Sequence, residues 1–269
     1  MSFRSCSLFL LLVLSACSVK EDRTCCPCTL GLFFTGFCVV DGSTGETAPQ
    51  ACLWQVSGRD GVVEGETVLR QMPRRVTLEV PRGEAQVTVW LVEDADSVTA
   101  EGMMIREGNA CPPVYLFSAG VDCRGEEAGV EILFHKAFAR LVCVLKNASV
   151  LGGGGWYEVR GGTCGYGPGG EPLAGPFRCP LAVRRTAAGG TLAAAVLPRQ
   201  RDDGLRLEVY SADRSVLRSF AVGEYLAAAG YDWTAPDLED IRLEIDLAST
   251  AVRLLASPEV PEYSRTLVL

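Results

Sequence analysis

A chain of 269 residues with 25 basic and 33 acidic side chains, one histidine and a formal net charge of −8 excludes several functions at the outset. Nucleic-acid binding rests on Lys and Arg neutralising phosphates, and no basic run occurs here; charge-driven adhesion to anionic lipid is excluded on the same ground. With 48% apolar residues the chain can bury sizeable cores, and its twelve cysteines make the redox compartment the first question.

The chain opens MSFRSCSLFLLLVLSACSVKEDR. Arg4 supplies a short basic start, and the apolar run at residues 8–14 is far below the ~20 residues that span a bilayer. A basic start, a short apolar stretch and small residues at the break describe a secretory signal over residues 1–16. Leu14, Ser15 and Ala16 before Cys17 resemble the lipobox of bacterial lipoproteins. That resemblance implies cleavage between Ala16 and Cys17, with acyl chains on the Cys17 thiol and on the new amine. Stable anchoring takes two membrane signals, at about 0.8 kcal/mol per buried CH₂. Several chains on one residue supply them, so the expectation is a protein anchored to a membrane rather than spanning it. Residues 17–26 form a polar lipidated tether, in which Glu21 and Asp22 resemble a surface-export signal of Bacteroidales lipoproteins.

Losing Cys6 with the signal and lipidating Cys17 leaves ten cysteines, an even number compatible with disulfides in an exported chain. Proximity across turn-rich loops pairs Cys38 with Cys52, Cys111 with Cys123, and Cys164 with Cys179. The CCPC cluster at Cys25, Cys26 and Cys28 has no second cluster and no histidine partner, so neither zinc nor any other cofactor is expected. Cys143, inside a strand pattern, reads as a buried small apolar residue.

Beyond the tether the chain reads as β throughout. In RVTLEV, Val76, Leu78 and Val80 alternate with polar residues; in QVTVWLV, Val87, Val89 and Leu91 share a face. LRLEVY sets Leu205, Leu207 and Val209 on one side, and DIRLEIDL does the same with Ile241, Leu243, Ile245 and Leu247. Strict period-two alternation predicts strands with one buried and one wet face, as antiparallel sheets produce. Turn signals such as DGSTGE, SGRDG and GGTCGYGPGGEP separate them. The prediction is therefore an all-β chain of antiparallel β-sandwiches. VGEYLAAAG alone suggests a helical turn, and GGGGWYEVRGG reads as a mobile loop with a solvent-facing Trp156. Such a length favours two domains, divided at FHKAFARLVCVLK: residues 27–134 and 135–256, with a tail at 257–269. No short-period repeat or heptad is present.

The run CSVKEDRTCCPCTLGLFF resembles the start of the fimbrial anchor subunits of Bacteroidales (the FimB-like minor fimbrium lipoproteins), and HKAFARLVCVLKNA and GYDWTAPDLEDIRLEIDLAS resemble that family's entry to its second domain and its closing strands. The resemblance implies two transthyretin-like β-sandwich domains in tandem. It implies too a structural, non-enzymatic role in cell adhesion at the base of a fimbrium in the outer membrane. In such fimbriae, shaft subunits lose an N-terminal strand at an arginine, and a neighbour's C-terminal strand fills the groove by strand addition. An anchor that keeps its first strand would hold shaft subunits without extending the shaft. MPRR and VRR are loop candidates for a processing arginine, and SRTLVL at 264–269 is a candidate donor strand.

Other chemistry is poorly supplied. His135 is read as structural, Glu93 with Asp94 and Glu239 with Asp240 as solvated loop residues, and no GxSxG or phosphate-loop pattern occurs. The competing readings are a surface lipoprotein binding glycan or another ligand through Trp54, Trp90, Trp156 or Trp233, and a fimbrial tip adhesin. DSV, centred on Ser97, resembles a Bacteroidales O-glycosylation site.

Overall fold

The computed structural model describes residues 26–35, 50–59, 61–68, 73–148, 155–185, 190–249 and 251–255. The signal with Ala16 and Cys17, nearly all of the tether, Cys25, Cys38 and the tail at 257–269 lie outside the described residues.

Alternating apolar residues at the start build the first of four sheets among the described residues. In β1 (Cys28–Phe34), Cys28, Leu30, Leu32 and Phe34 point inward. This strand lies antiparallel to β4 (Arg75–Val80) and parallel to β9 (Glu127–Ile132). A second sheet faces it, formed by β2 (Ala51–Gly58), β3 (Gly61–Val68), β5 (Glu84–Val92) and β8 (Tyr115–Asp122) in the order β8-β5-β2-β3. Cys52, Trp54 and Val56 on β2, and Val87, Val89 and Leu91 on β5, are buried opposite the β1 residues.

The same path is then traced a second time. After β10 (His135–Lys136), which pairs with β8, comes β11 (Phe138–Lys146). It is antiparallel to β15 (Thr191–Pro198) and parallel to β18 (Ile241–Asp246), as β1 is to β4 and β9. In the facing sheet, β12 (Trp156–Tyr166) pairs with β13 (Pro172–Pro180) and with β16 (Arg206–Tyr210), and β16 pairs with β17 (Val216–Phe220). These repeat the β2–β3, β2–β5 and β5–β8 pairings strand for strand. Two short edge strands, β14 (Ala182–Arg185) and β19 (Val252–Leu254), extend the first sheet of this second unit. Helix α1 (Val222–Ala228) buries Val222 and Leu226 where the sequence predicts a helical turn.

The units are bolted together by elements that cross between them. The hairpin of β6 (Val98–Thr99) and β7 (Gly102–Met104) leaves the first unit and adds to β12, pairing Met103 with Tyr166 and Met104 with Gly165. The chain then runs along the second unit, with Ile105 N–H on Cys164 O, Gly108 N–H on Arg178 O and Cys111 N–H on Val196 O at 2.8–3.1 Å. The buried Tyr166 hydroxyl donates to Ala137 O and accepts from Arg199 N–H. Lys136 Nζ reaches Asp240 at 2.5 Å. One continuous buried cluster passes through both units.

At the far end of the parallel β11–β18 pair, Asp246 is held down to about 2 by the Asn147 side-chain amide and then by the Ala248 N–H. Asn147 adopts φ of 56°, a conformation that asparagine tolerates better than most residues. A folded-state value below the unfolded 3.8 means the contribution is complete above 3.8 and is lost as pH falls through about 2. A carbon-13 NMR titration should place Asp246 near 2, with Asn147→Ala moving it upward; an ordinary carboxylate midpoint in the parent chain would refute this.

Candidate assembly surfaces and cysteine sites

The first strand, β1, is fixed on both sides. It occupies the middle of its sheet, hydrogen-bonded on both sides, with Leu30 and Leu32 fully buried. The first unit thus has this strand in place between β4 and β9, with no gap on either side of it. Two edge strands among the described residues carry exposed charges. On β3, Glu64 and Glu66 interrupt an edge that exposes Val62 and Val68, while β14 carries Arg184 and Arg185 on a wholly exposed strand. Charges of this kind discourage indiscriminate edge pairing.

Of the arginines in MPRR and VRR, Arg74 lies in a bend before β4, and the others lie in strands. Arg75 begins β4, opposite Phe33, with its guanidinium 5.1 Å from that ring. Arg184 and Arg185 pair with Leu192 and Thr191. Trp156 departs from the expected solvent-facing loop position: it opens the eleven-residue β12 and stacks on Tyr210 at 4.1 Å.

Trp54, Trp90 and Trp233 are buried. Trp90 lies on the outward side of β5, beside Leu53, and is covered there by the segment leading into the β6–β7 hairpin. A cleft of about 240 Å³ remains between that segment and the sheet, lined among others by Leu53, Gln55, Glu64, Trp90 and Ala100. Gln55 donates to Glu64 and to Ala100 O, but the indole N–H groups of Trp54 and Trp90 meet no acceptor. Ser97 lies in a 3-10 turn at Ala95–Ser97, its hydroxyl donating to Asp94 O at 2.6 Å. His135 Nδ1 lies 3.1 Å from Asp237 in an exposed ion-pair geometry that links β10 to the second unit.

Among the described residues, no group of three or more His, Cys, Asp or Glu side chains is arranged to hold a metal. Eight described cysteines carry unbonded thiols, and all but Cys26 are buried. Burial pushes Cys52 and Cys143 up to about 12, so neither is a thiolate nucleophile at neutral pH.

The structure groups the cysteines differently from their order in the chain. Cys179 stands opposite Val159 on β12, whereas Cys164 lies five residues farther along, beside Leu173 and Gly175. Five strand residues are roughly 16 Å, beyond the ~7 Å that a disulfide tolerates between Cα atoms, so the hairpin keeps Cys164 and Cys179 apart. Cys111 lies near Cys179 instead. Cys123 lies near Cys28. Cys52 is buried on β2, and its expected partner Cys38 is outside the described residues.

One cluster escapes sequence reading. Glu158 and Glu208 face each other across β12 and β16, and Arg160 Nε bridges them at 2.7 and 2.9 Å. Tyr210 donates to Glu208, and burial followed by that bond pushes its hydroxyl up to about 12. Each strand shows only a charged residue at every second position. The register alone brings the carboxylates together, and Arg160 between them makes a structural ion pair rather than an acid/base couple.

No protein-family model matches the chain, and no curated protein matches it by sequence. Solved structures do match by shape. The fimbrial anchor protein Mfa2 from Porphyromonas gingivalis aligns with a TM-score of 0.58 at 11% identity, covering 86% of this chain and 96% of that one. A candidate adhesin from Bacteroides ovatus gives 0.57 at 11%, covering 87% and 97%. A candidate polysaccharide-binding protein from Bacteroides thetaiotaomicron gives 0.57 at 11%, covering 86% and 99%. The chain therefore has, over nearly its whole length, the all-β fold of Bacteroidales fimbrial anchor and adhesin structures.

Proposed function

We propose that this protein is a non-enzymatic structural subunit, held in the outer membrane by acyl chains on Cys17, that attaches a fimbrium to the cell and limits its length. The observation that carries the reading is β1 seated between β4 and β9 in a complete first unit. A subunit whose own strand fills that position can bind the shaft through another surface without being extended there. The lipobox before Cys17 supports a basal position, and the twofold seven-strand path supports the transthyretin-like tandem that the family resemblance implies. Likeness in fold to a fimbrial anchor protein points the same way. Shaft subunits are the proposed partners, and the cell surface at the fimbrium base is the proposed location.

Replacing Cys17 by alanine in the native cell tests this. The expected result is shaft material shed into the medium or lengthened on the cell, with the variant still made and exported. Shafts that stay attached at normal length would overturn the anchor reading. They would favour the second one, direct ligand binding, for which the cleft beside Trp90 is the specific observation: a buried indole N–H without an acceptor marks a place where a ligand oxygen would dock.

A further inference from the structure

The two cysteines that open β1 and close β8 stand at one end of the first sandwich. Cys28 is the first residue of β1 and lies opposite Val80, the last of β4. Cys123 follows β8, and its N–H donates to Gly83 O at 2.7 Å, three residues beyond Val80 in the turn leading to β5. Next to Cys28, the Thr29 N–H donates to Glu126 O at 2.8 Å, in the turn from β8 to β9. Two chain crossings between the sheets therefore bracket both residues. Both side chains are wholly buried, and with their backbones tied to these two crossings the thiols are near neighbours.

The geometry points to a Cys28–Cys123 disulfide in the exported protein, stapling β1 to the opposite sheet at the point where the N-terminal tether enters the fold. Two neighbouring buried thiols, in a chain whose start resembles an export signal, are the arrangement that an oxidising compartment converts to a bond. The oxidant is a protein or small-molecule disulfide. One cysteine thiolate attacks it and forms a mixed disulfide, releasing the first oxidant thiol. The second cysteine thiolate then attacks the mixed disulfide and releases the other. The pair loses two electrons and two protons, and the oxidant's S–S bond is reduced to two thiols. Burial, then the neighbouring Cys28 thiol, push Cys123 up to about 11, so exchange is slow once the fold has closed. The bond is made while β1 is still being seated.

A covalent tie at Cys28 holds the strand that keeps the first unit complete. Its consequence for pulling by the tether rests on the anchor proposal, whereas the bond itself does not. The full chain, exported in its native host and alkylated before lysis, is mapped by non-reducing peptide mass spectrometry with fragmentation across Cys25, Cys26 and Cys28. A linked pair assigned to Cys28 and Cys123 is expected. Alkylated thiols at both positions, or Cys123 joined to Cys25, Cys26 or Cys111, would overturn the assignment. Reducing the parent chain should lower its Tm by about 5–15 °C, the size expected for removing a native disulfide that closes a long loop. Cys28→Ser should already sit at that lower value and be much less sensitive to reductant. A parent Tm indifferent to reductant would count against the bond even if the serine variant fails to fold. Cys28→Ser keeps Cys17 and its lipid, and Cys17→Ala keeps the staple, so either idea can fail alone.

Discussion

Replacing Gly102 by alanine is expected to unseat the β6–β7 hairpin from the second unit and to cost about 2–4 kcal/mol of stability, combining backbone strain with a lost buried contact. Gly102 has φ of +104°, where an L side chain is strained, and an added Cβ would drive into the Tyr166 carbonyl and the Gly167 backbone. The backbone has little freedom to step aside, because Met103 and Met104 are in register with Tyr166 and Gly165 immediately afterward. Met103 is 1% exposed and would be drawn out with the strand. Denaturant unfolding gives the energy, and hydrogen exchange at residues 103–105 gives the location: exchange there should accelerate while β5 stays protected. A loss under about 0.5 kcal/mol, the scale of an ordinary surface substitution, together with unchanged exchange, would show that this hairpin does not fasten the units. Under the proposed anchor role the subunit would carry load from one unit to the other, and this hairpin is one of the elements that crosses between them.

The parts of the fold legible in the sequence are those in which one face of a strand meets the core and the other meets water. β4 and β18 alternate cleanly, and both follow the reading. β5 shows the limit: Val87, Val89 and Leu91 are buried as alternation requires, but Thr88, Trp90 and Val92 are buried too. Their face is covered by the hairpin segment and, around Thr88 and Ser118, by a turn of the second unit in which Gly169 O accepts from Ser118 Oγ. A period-two pattern cannot reveal a cover supplied by a distant segment. The internal repeat was hidden for a related reason, since β1 and β11 need the same neighbours but only comparable apolar positions, not the same residues. Cysteine pairing is the clearest case. Nearness in sequence grouped Cys164 with Cys179, yet a hairpin separates positions according to its register, and sheet crossings bring together Cys28 and Cys123 from opposite ends of one unit.

Leu30→Asp is expected to have the larger effect on assembly, because it removes the feature on which the proposed anchor role depends. Leu30 is fully buried at the centre of β1, in register with Leu78 on one side and Ala128 on the other. Leu30→Ala should cost about 2–5 kcal/mol, from lost transfer energy plus the cavity left behind. The aspartate adds desolvation of a carboxylate that no cation on the inward face of β1, β2 or β5 can pair, several kcal/mol more. That total approaches the roughly 5–15 kcal/mol stabilising a typical domain, and withdrawing β1 from its sheet is the cheapest way to return the charge to water. With Cys28→Ser removing the proposed staple from both variants, the alanine variant should keep the strand seated in a weaker unit, whereas the aspartate variant should leave the β4–β9 position open. A peptide of residues 28–34 with serine at Cys28 should then bind the aspartate variant by strand addition and fail to bind the parent chain. In a fimbriated cell, shafts should lengthen as though the terminating subunit were absent, provided the variant is still exported. Equal peptide binding by both proteins would mean that β1 leaves its sheet readily, and a seated first strand could not then be what ends the shaft.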